Sequence, residues 1–451
     1  MNNRTFVEAI LCLVLLSLAV GPGLALEPPP RAPSETAGAN TGPSGYGPWT
    51  VETLDSSLGQ ISHVSMAISA HSGDAYVSYY ENGDLKMAKY VGSGGNCGAS
   101  DRWWCETVVS AGDVGQYSSI AINPAIDMPA IAYYDATNQA LKLAQWLGSS
   151  WLIKSIDGDE PNTSVGTHTS LKIDASGVPH IAYHAEKRDL QSNRLFYATL
   201  YSGATSRCTN GDFQCVPIDT AYDGYTSLDL NDQGNIGIAY QINNRLKYAR
   251  FVPSPNKGNC GLGMKAWSCT YIQYPTAPDA CATSYAALDH DAGPHGAHIA
   301  SYCGFLHYAR FVGSGGNCAS PQWQCDEIVD MGSVAHTRDV SLVMDYGGLP
   351  IIAYHTYKQG IEITLSTLNV ARPAAALGLE SGSCGPGDSW QCDRIPDTGH
   401  PGDYLSIALN PSGLATVAYV NYHKFGSSLR VAYQPPFKAY LPQAWRLFVE
   451  P

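Results

Sequence analysis

In the stretch from Thr169 to Ala198 the large apolar residues Leu171, Ile173, Ile181 and Tyr183 fall on every second position, with Ser170, Lys172, Ala182 and His184 between them. A period of two is that of a β-strand with unlike faces. The alternation breaks at Asp174 to Gly177, where an Asx side chain caps a turn and glycine supplies the positive φ that the turn needs. After a polar connection a further run, Leu195 to Ala198, completes three short strands joined by hairpin turns.

The unit recurs along the chain. A small residue followed by Tyr ends the second strand of each copy, at Ser78-Tyr79, Ala132-Tyr133, Ala182-Tyr183, Ala239-Tyr240, Ser301-Tyr302, Ala353-Tyr354 and Ala418-Tyr419, which makes seven copies. The third strands follow in step, from Leu85 to Ala88 in the first copy to Leu429 to Ala432 in the last, and Ile363 to Ser366 in the sixth lacks the terminal Ala. Fourth strands open on an aromatic residue, at Trp104, Trp151, Phe213, Trp267, Trp323 and Trp390, and often close on Asp. The seventh copy has no such segment after Ala432, and Trp49 to Asp55 supplies one from the other end of the chain. The pattern predicts an all-β fold, a seven-bladed β-propeller of four-stranded antiparallel blades whose N-terminal strand closes the last blade. Such closure leaves no free sheet edge.

With repeats of the form S-L-x-[IL]-[DN]-x-x-G-x-x-x-[IV]-A-Y and a following Leu-x-Tyr-Ala strand, the chain resembles secreted bacterial seven-bladed β-propeller repeat proteins. The resemblance runs from Trp49 to about Tyr433 and implies architecture rather than chemistry, because propellers host many functions. It extends to the sialidase-like type, but the Asp-box Ser-x-Asp-x-Gly-x-x-Trp is absent from every copy, which speaks against sialidase activity.

Composition adds an address. Residues 1–25 read as a secretory signal peptide, with Arg4 ahead of an apolar run from Ala9 to Val20 and Gly23-Leu24-Ala25 at the cleavage site. Residues 26–47 form a Pro/Gly/Ser-rich linker, 48–433 the propeller and 434–451 a C-terminal tail. The expectation is a secreted, extracellular monomer with no membrane span. Net charge is −13 with no Lys/Arg cluster, which excludes nucleic acid and anionic membranes as partners that need a basic footprint.

Of thirteen cysteines, Cys12 leaves with the signal, and an even set in an exported chain predicts disulfides. Locality pairs Cys97 with Cys105, Cys208 with Cys215, Cys260 with Cys269, Cys318 with Cys325 and Cys384 with Cys392. The sixth pair is Cys281 with Cys303, facing each other across a first and second strand. No metal site and no cofactor is expected: Cys-x-x-Cys is missing, and Asp289-His290-Asp291 falls in a turn that needs no metal.

Residues at the start of each first strand and after each second strand converge at one end of the central channel. The first set holds His63, Tyr117, His168, Tyr225, Asp339 and Tyr404, and the second holds Tyr134, His184 and His355. Blade six adds His336 and Arg338, and blade two adds Asp135. A residue kept in every copy is a repeated packing solution, so positions that break the repeat, His168, His184, His336, Arg338 and His355, are the stronger binding candidates. Aromatic faces with hydrogen-bonding tips suit sugars, and the leading expectation is a module that binds a carbohydrate, surface polymer or protein ligand. The alternative is a polysaccharide lyase using His168 or His184 with a Tyr, Arg338 neutralising a uronate. A purely structural scaffold is the third reading.

Overall fold

The structure is a computed structural model that describes residues 48–434 apart from 159–163, 188–191, 202–207, 221–223, 232, 243–244, 253–256, 262–265, 275–284, 292–295, 303–304, 331–334 and 360–363. The expected signal segment, the linker up to residue 47 and the tail from 435 lie outside the described residues.

Seven antiparallel sheets of four strands each follow one another along the chain. The chain is a seven-bladed β-propeller. The inner strands of blades one to seven are Ile61–Ile68, Val114–Asn123, Ser164–Ile173, Thr226–Leu230, Ala286–His290, Ala335–Met344 and His400–Leu409. The strand Thr50–Ser57 is the outer strand of blade seven, antiparallel to Gly426–Tyr433 with Thr50 opposite Tyr433 and Ser57 opposite Ser427. The first and last strands therefore share one sheet, and the edge that blade seven would expose is covered.

The core lies between sheets rather than within them. Leu54, Val420, Leu429 and Val431 of blade seven pack with Val77, Tyr79 and Trp103 of blade one in a single apolar cluster. The repeated Ser of the inner strand has a specific task in this stacking. Ser65, Ser119, Ser170, Ser227, Ser341 and Ser406 each accept, through Oγ at 2.9–3.1 Å, the backbone N–H of the next blade's inner strand, at Ile120, Leu171, Leu228, Leu288, Ile407 and Met66. Blade five has Ala287 at this place; its Asp289 Oδ2 takes the N–H of Met344 in blade six at 2.7 Å, as Asp229 takes that of His290 beside the Ser227 contact one blade earlier.

Two register expectations are corrected. The outer strand of blade one is Trp103–Val109, so its opening aromatic is Trp103, fully buried, while Trp104 is 46% exposed. Trp103 restores the W-x-C spacing of Trp267-x-Cys269, Trp323-x-Cys325 and Trp390-x-Cys392. In blade six Ala371 stands opposite Ile352, as Ala198 stands opposite Ile181 in blade three. The third strand there is Thr364–Pro373, and Leu368 to Ala371, rather than Ile363 to Ser366, is its repeat segment. A longer second-to-third hairpin displaced the pattern.

Five disulfides join the expected pairs: Cys97–Cys105, Cys208–Cys215, Cys260–Cys269, Cys318–Cys325 and Cys384–Cys392. The Cys281–Cys303 pair falls on residues outside the described ones. No helix among the described residues is long and apolar enough to cross a membrane.

Candidate functional site at the channel mouth

Five of the seven inner strands approach the central channel through an irregular start. Register shifts interrupt the inner pairing between Ser62 and Ser65, Gln116 and Ser119, Thr167 and Ser170, Thr337 and Val340, and Asp403 and Ser406. Inside these bulges His63, Tyr117, His168 and Tyr404 take φ values of 51–53°. A left-handed backbone at a residue with a Cβ costs of order 1–3 kcal/mol and persists where surrounding contacts impose it. Here neighbouring blades do so. Ser118 Oγ donates to the carbonyl of His63 at 2.7 Å, Thr169 Oγ1 to that of Tyr117, and Thr226 Oγ1 to that of His168 at 2.5 Å. Two residues before three of these side chains stand Gly115, Gly166 and Gly402, with φ of 101–115°; a Cβ on them would lie 2.7–2.8 Å from Leu85, Leu141 and His355. The G-x-[YH] step thus carries the chain tightly over the preceding blade and turns the next side chain but one inward.

The result is a closed belt around a cavity of about 190 Å³. His63, Tyr117, His168, Tyr225, Tyr285, Asp339 and Tyr404, one from each blade, line it. Ring centroids stand 4.5 Å apart for His63 and Tyr117, 4.3 Å for Tyr117 and His168, and 4.8 Å for His168 and Tyr225. Tyr225 and Tyr285 stack at 3.9 Å, and the Tyr285 hydroxyl donates to that of Tyr225 at 2.8 Å. Asp339 Oδ2 accepts the backbone N–H of Tyr404 at 2.7 Å, and Tyr404 returns to His63 at 4.9 Å.

Six of the sequence-derived candidates, His63, Tyr117, His168, Tyr225, Asp339 and Tyr404, are therefore brought together. Tyr285 is a seventh member that the repeat reading passed over, because blade five has Ala287 where the anchoring Ser is expected. Tyr134 and His184 form a layer behind the belt, with centroids 6.4 Å from Tyr117 and 5.3 Å from His168. His355 is buried away from the cavity, its Nε2 2.6 Å from Ser366 Oγ and its Nδ1 3.1 Å from Asp403 Oδ1. Asp135 is also turned to structural use. It pairs with Lys142 at 2.7 Å and accepts the backbone and side-chain N–H groups of Asn138, closing its own hairpin. The side chains of His336 and Arg338 lie outside the described residues.

Apart from Asp339, the shifted groups of the belt are held in their neutral forms. Burial pushes the imidazoles of His63 and His168 down to about 4 and that of His184 to about 3, the neighbouring His168 adding to the effect at His63 and His184. Burial, reinforced by the Asp339 carboxylate, raises the phenols of Tyr225, Tyr285 and Tyr404. At neutral pH the belt offers uncharged imidazoles, each one donor and one acceptor, and protonated phenols. His168 Nδ1 and His184 Nε2 are buried with no hydrogen-bond partner among the described residues. No group of three or more metal-ligating side chains occurs among the described residues.

No known protein family and no curated protein matches this chain. Among solved structures it is similar to a protein of unknown function from Dyadobacter fermentans, at 9% identity over 85% of this chain and 97% of that one, TM-score 0.44. It is also similar to an α-L-arabinofuranosidase from Fusarium graminearum in complex with an iminosugar inhibitor, at 9% identity over 75% and 100%, TM-score 0.43. A sialidase from Streptococcus pneumoniae aligns at 10% identity over 86% and 70%, TM-score 0.36. Likeness this distant leaves the chemistry to be read from this chain's own residues.

Proposed function

We propose that the protein is a recognition module whose channel mouth binds a sugar unit of a carbohydrate or surface polymer. The observation that carries this reading is the belt itself: seven inward-facing side chains around one cavity, four of them held in a left-handed backbone. Strain of that kind is not needed to stack blades, since Tyr225 reaches the same belt without a positive φ. Tyrosine faces supply apolar area, while phenols and neutral imidazoles supply paired donors and acceptors for hydroxyl groups. A volume of about 190 Å³ falls below the roughly 300–1,000 Å³ of pockets that enclose whole ligands. The mouth accordingly suits one ring or chain end, with the rest of a polymer lying across the face.

A second reading, a lyase acting on a uronate polymer, draws on the unpartnered nitrogens of His168 and His184 beside Tyr117 and Tyr225. Imidazoles at about 4 and 3 are weak proton acceptors, and a general base works best with a pKa near the working pH. That weakness favours binding over catalysis. A glycan array combined with incubation on uronate polymers separates the two. Retention of glycans without ultraviolet-absorbing unsaturated products supports the module, release of such products supports the lyase, and neither result leaves only a scaffold.

A further inference from the structure

The same inner strands build a second site further along the channel, toward the turns between first and second strands. One residue beyond the apolar anchor of each inner strand, the seven blades contribute Ala67, Ala121, Lys172, Asp229, Asp289, Val343 and Ala408, paired in equivalent register with Tyr76, Ala130, His180, Gly237, His298, Ile351 and Thr416. This ring is lopsided. Blades six, seven, one and two present small apolar groups, and blades three to five present charge.

Around it lies a cavity of about 500 Å³, lined by Lys172 and Asp289 from blades three and five and by Ala67, Ala121, Val343 and Ala408 from blades one, two, six and seven; His71 and Asp127 also line it, Asp127 accepting the Ser69 hydroxyl at 2.5 Å. The volume is within the range of small-molecule sites, unlike that of the mouth. Lys172 Nζ pairs with Asp229 Oδ1 at 2.8 Å, yet 43% of its side-chain surface remains accessible. Asp229 Oδ2 also meets His290 Nδ1 at 2.8 Å and the His290 N–H at 2.9 Å, and the far nitrogen of His290 faces the Tyr248 hydroxyl at 3.3 Å. Asp229 is thereby fully engaged, and the one ammonium of the cluster is matched to it. Asp289 receives the Met344 N–H on Oδ2 and, on Oδ1 at 3.0 Å, shares the His290 N–H with Asp229. Two carboxyl groups against one ammonium leave a negative charge uncompensated whenever both ionise.

We propose that this cavity binds a small amphiphilic amine, its apolar body against Ala67, Ala121, Val343 and Ala408 and its ammonium group beside Asp289. An anion at the same place would compete with Asp229 for Lys172 and leave the cluster net negative. An ammonium would complete two ion pairs in a site of low dielectric, where such pairing decides which charge is tolerated. Burial and the repulsion of Asp229 push the Asp289 carboxyl up, against the opposing pull of Lys172, which favours a proton held there in the free protein. On binding, that proton leaves for solvent as the ammonium takes its place.

Hexylamine, hexan-1-ol and hexanoate, titrated calorimetrically into the whole protein at pH 7 in two buffers of unlike ionisation enthalpy, test this. The expected result is hexylamine bound at least about tenfold more tightly than hexan-1-ol, hexanoate weakest, and a buffer-dependent heat reporting proton release. Asp289→Asn, which mimics the protonated carboxyl and still accepts the Met344 N–H, should hold or raise the unfolding midpoint and lose the preference for the amine. Ala121→Leu, which fills the apolar side, should weaken all binding. An amine bound no better than the alcohol, or bound equally by Asp289→Asn, overturns the proposal.

Discussion

The hydroxyl of Tyr183 donates a 2.7 Å hydrogen bond to Oδ2 of Asp157, joining the second strand of blade three to the end of the outer strand of blade two. Both residues are fully buried. The contact recurs between Tyr79 and Asp55, Tyr240 and Asp219, and Tyr419 and Asp397, at 2.6–2.8 Å. The Tyr that ends each second strand and the Asp that closes many fourth strands are thus two halves of one inter-blade latch. The Tyr79–Asp55 contact bridges the closing strand of the ring to blade one.

Removing the phenol while keeping the ring isolates the latch. Tyr183→Phe takes the 2.7 Å phenol donor from the buried Asp157 carboxylate, and should cost about 1.5–3 kcal/mol in urea denaturation. Tyr133 is the internal control. Val109 stands opposite Leu85 where blade two has Asp157 opposite Leu141, and the Tyr133 hydroxyl has no hydrogen-bond partner among the described residues. Tyr133→Phe should therefore cost nothing measurable.

Sequence carried the architecture and several halves of such contacts without joining them. Period-two alternation, the Ala-Tyr anchors and the missing seventh outer strand locate all seven blades, because each is a local signal repeated many times. The latch spans two blades, so no window of sequence displays it. Asn96, Asn259 and Asn317 likewise pair both ways with the backbone of Cys105, Cys269 and Cys325, giving Gly-Asn-Cys its reason. At the mouth, six belt members were legible from spacing to the inner-strand Ser, and Tyr285 was hidden by Ala287. Tyr two places before Ala-Leu-Asp would have revealed it. The Asp289 and Lys172 cluster was hidden differently: Asp289 and His290 are the last residues of a strand rather than part of its turn, and their partners come from other blades.

The Ser ring predicts an asymmetry between removing and adding a hydroxyl. Ser170→Ala strips the Leu228 N–H of its partner and should cost about 1 kcal/mol. Ala287→Ser in blade five introduces the missing hydroxyl beside Leu342 and should be neutral or stabilising by a similar amount. Equilibrium denaturation of both variants against the parent measures the difference.

Stability should pass through a maximum near pH 6.5. His63, His168 and His184 have folded values lowered to about 4, 4 and 3 from an ordinary 6.5, so the unfolded chain takes up protons first. Their contribution is complete above 6.5 and is lost as pH falls toward 4. Asp289, raised to about 8 from 3.8, works in the opposite sense. Its contribution is complete below about 4 and is lost as pH rises through 8. Between 4 and 6.5 these three imidazoles, joined by His180 and His298, which burial also lowers, outweigh one carboxyl, and from 6.5 to 8 the carboxyl dominates. Unfolding free energies at half-unit intervals, with Asp289→Asn flattening the alkaline limb, check both signs.

The short cystine loops should each stabilise by about 2 kcal/mol through the unfolded chain. Opening Cys318–Cys325 by a double Ser substitution should lower the unfolding free energy by that amount and leave the far-ultraviolet spectrum unchanged.

The most direct test of the mouth as a recognition site is the titration of His168→Gly and the parent protein with neutral oligosaccharides. Glycine adopts the φ of 52° found at His168 without strain, and it removes an imidazole nitrogen buried without a hydrogen-bond partner. A binding role predicts that the parent binds at least one oligosaccharide and that the variant loses about tenfold or more in affinity while its unfolding midpoint holds or rises. Unchanged affinity in a variant that unfolds more readily would contradict it, and so would a parent that binds no member of the panel.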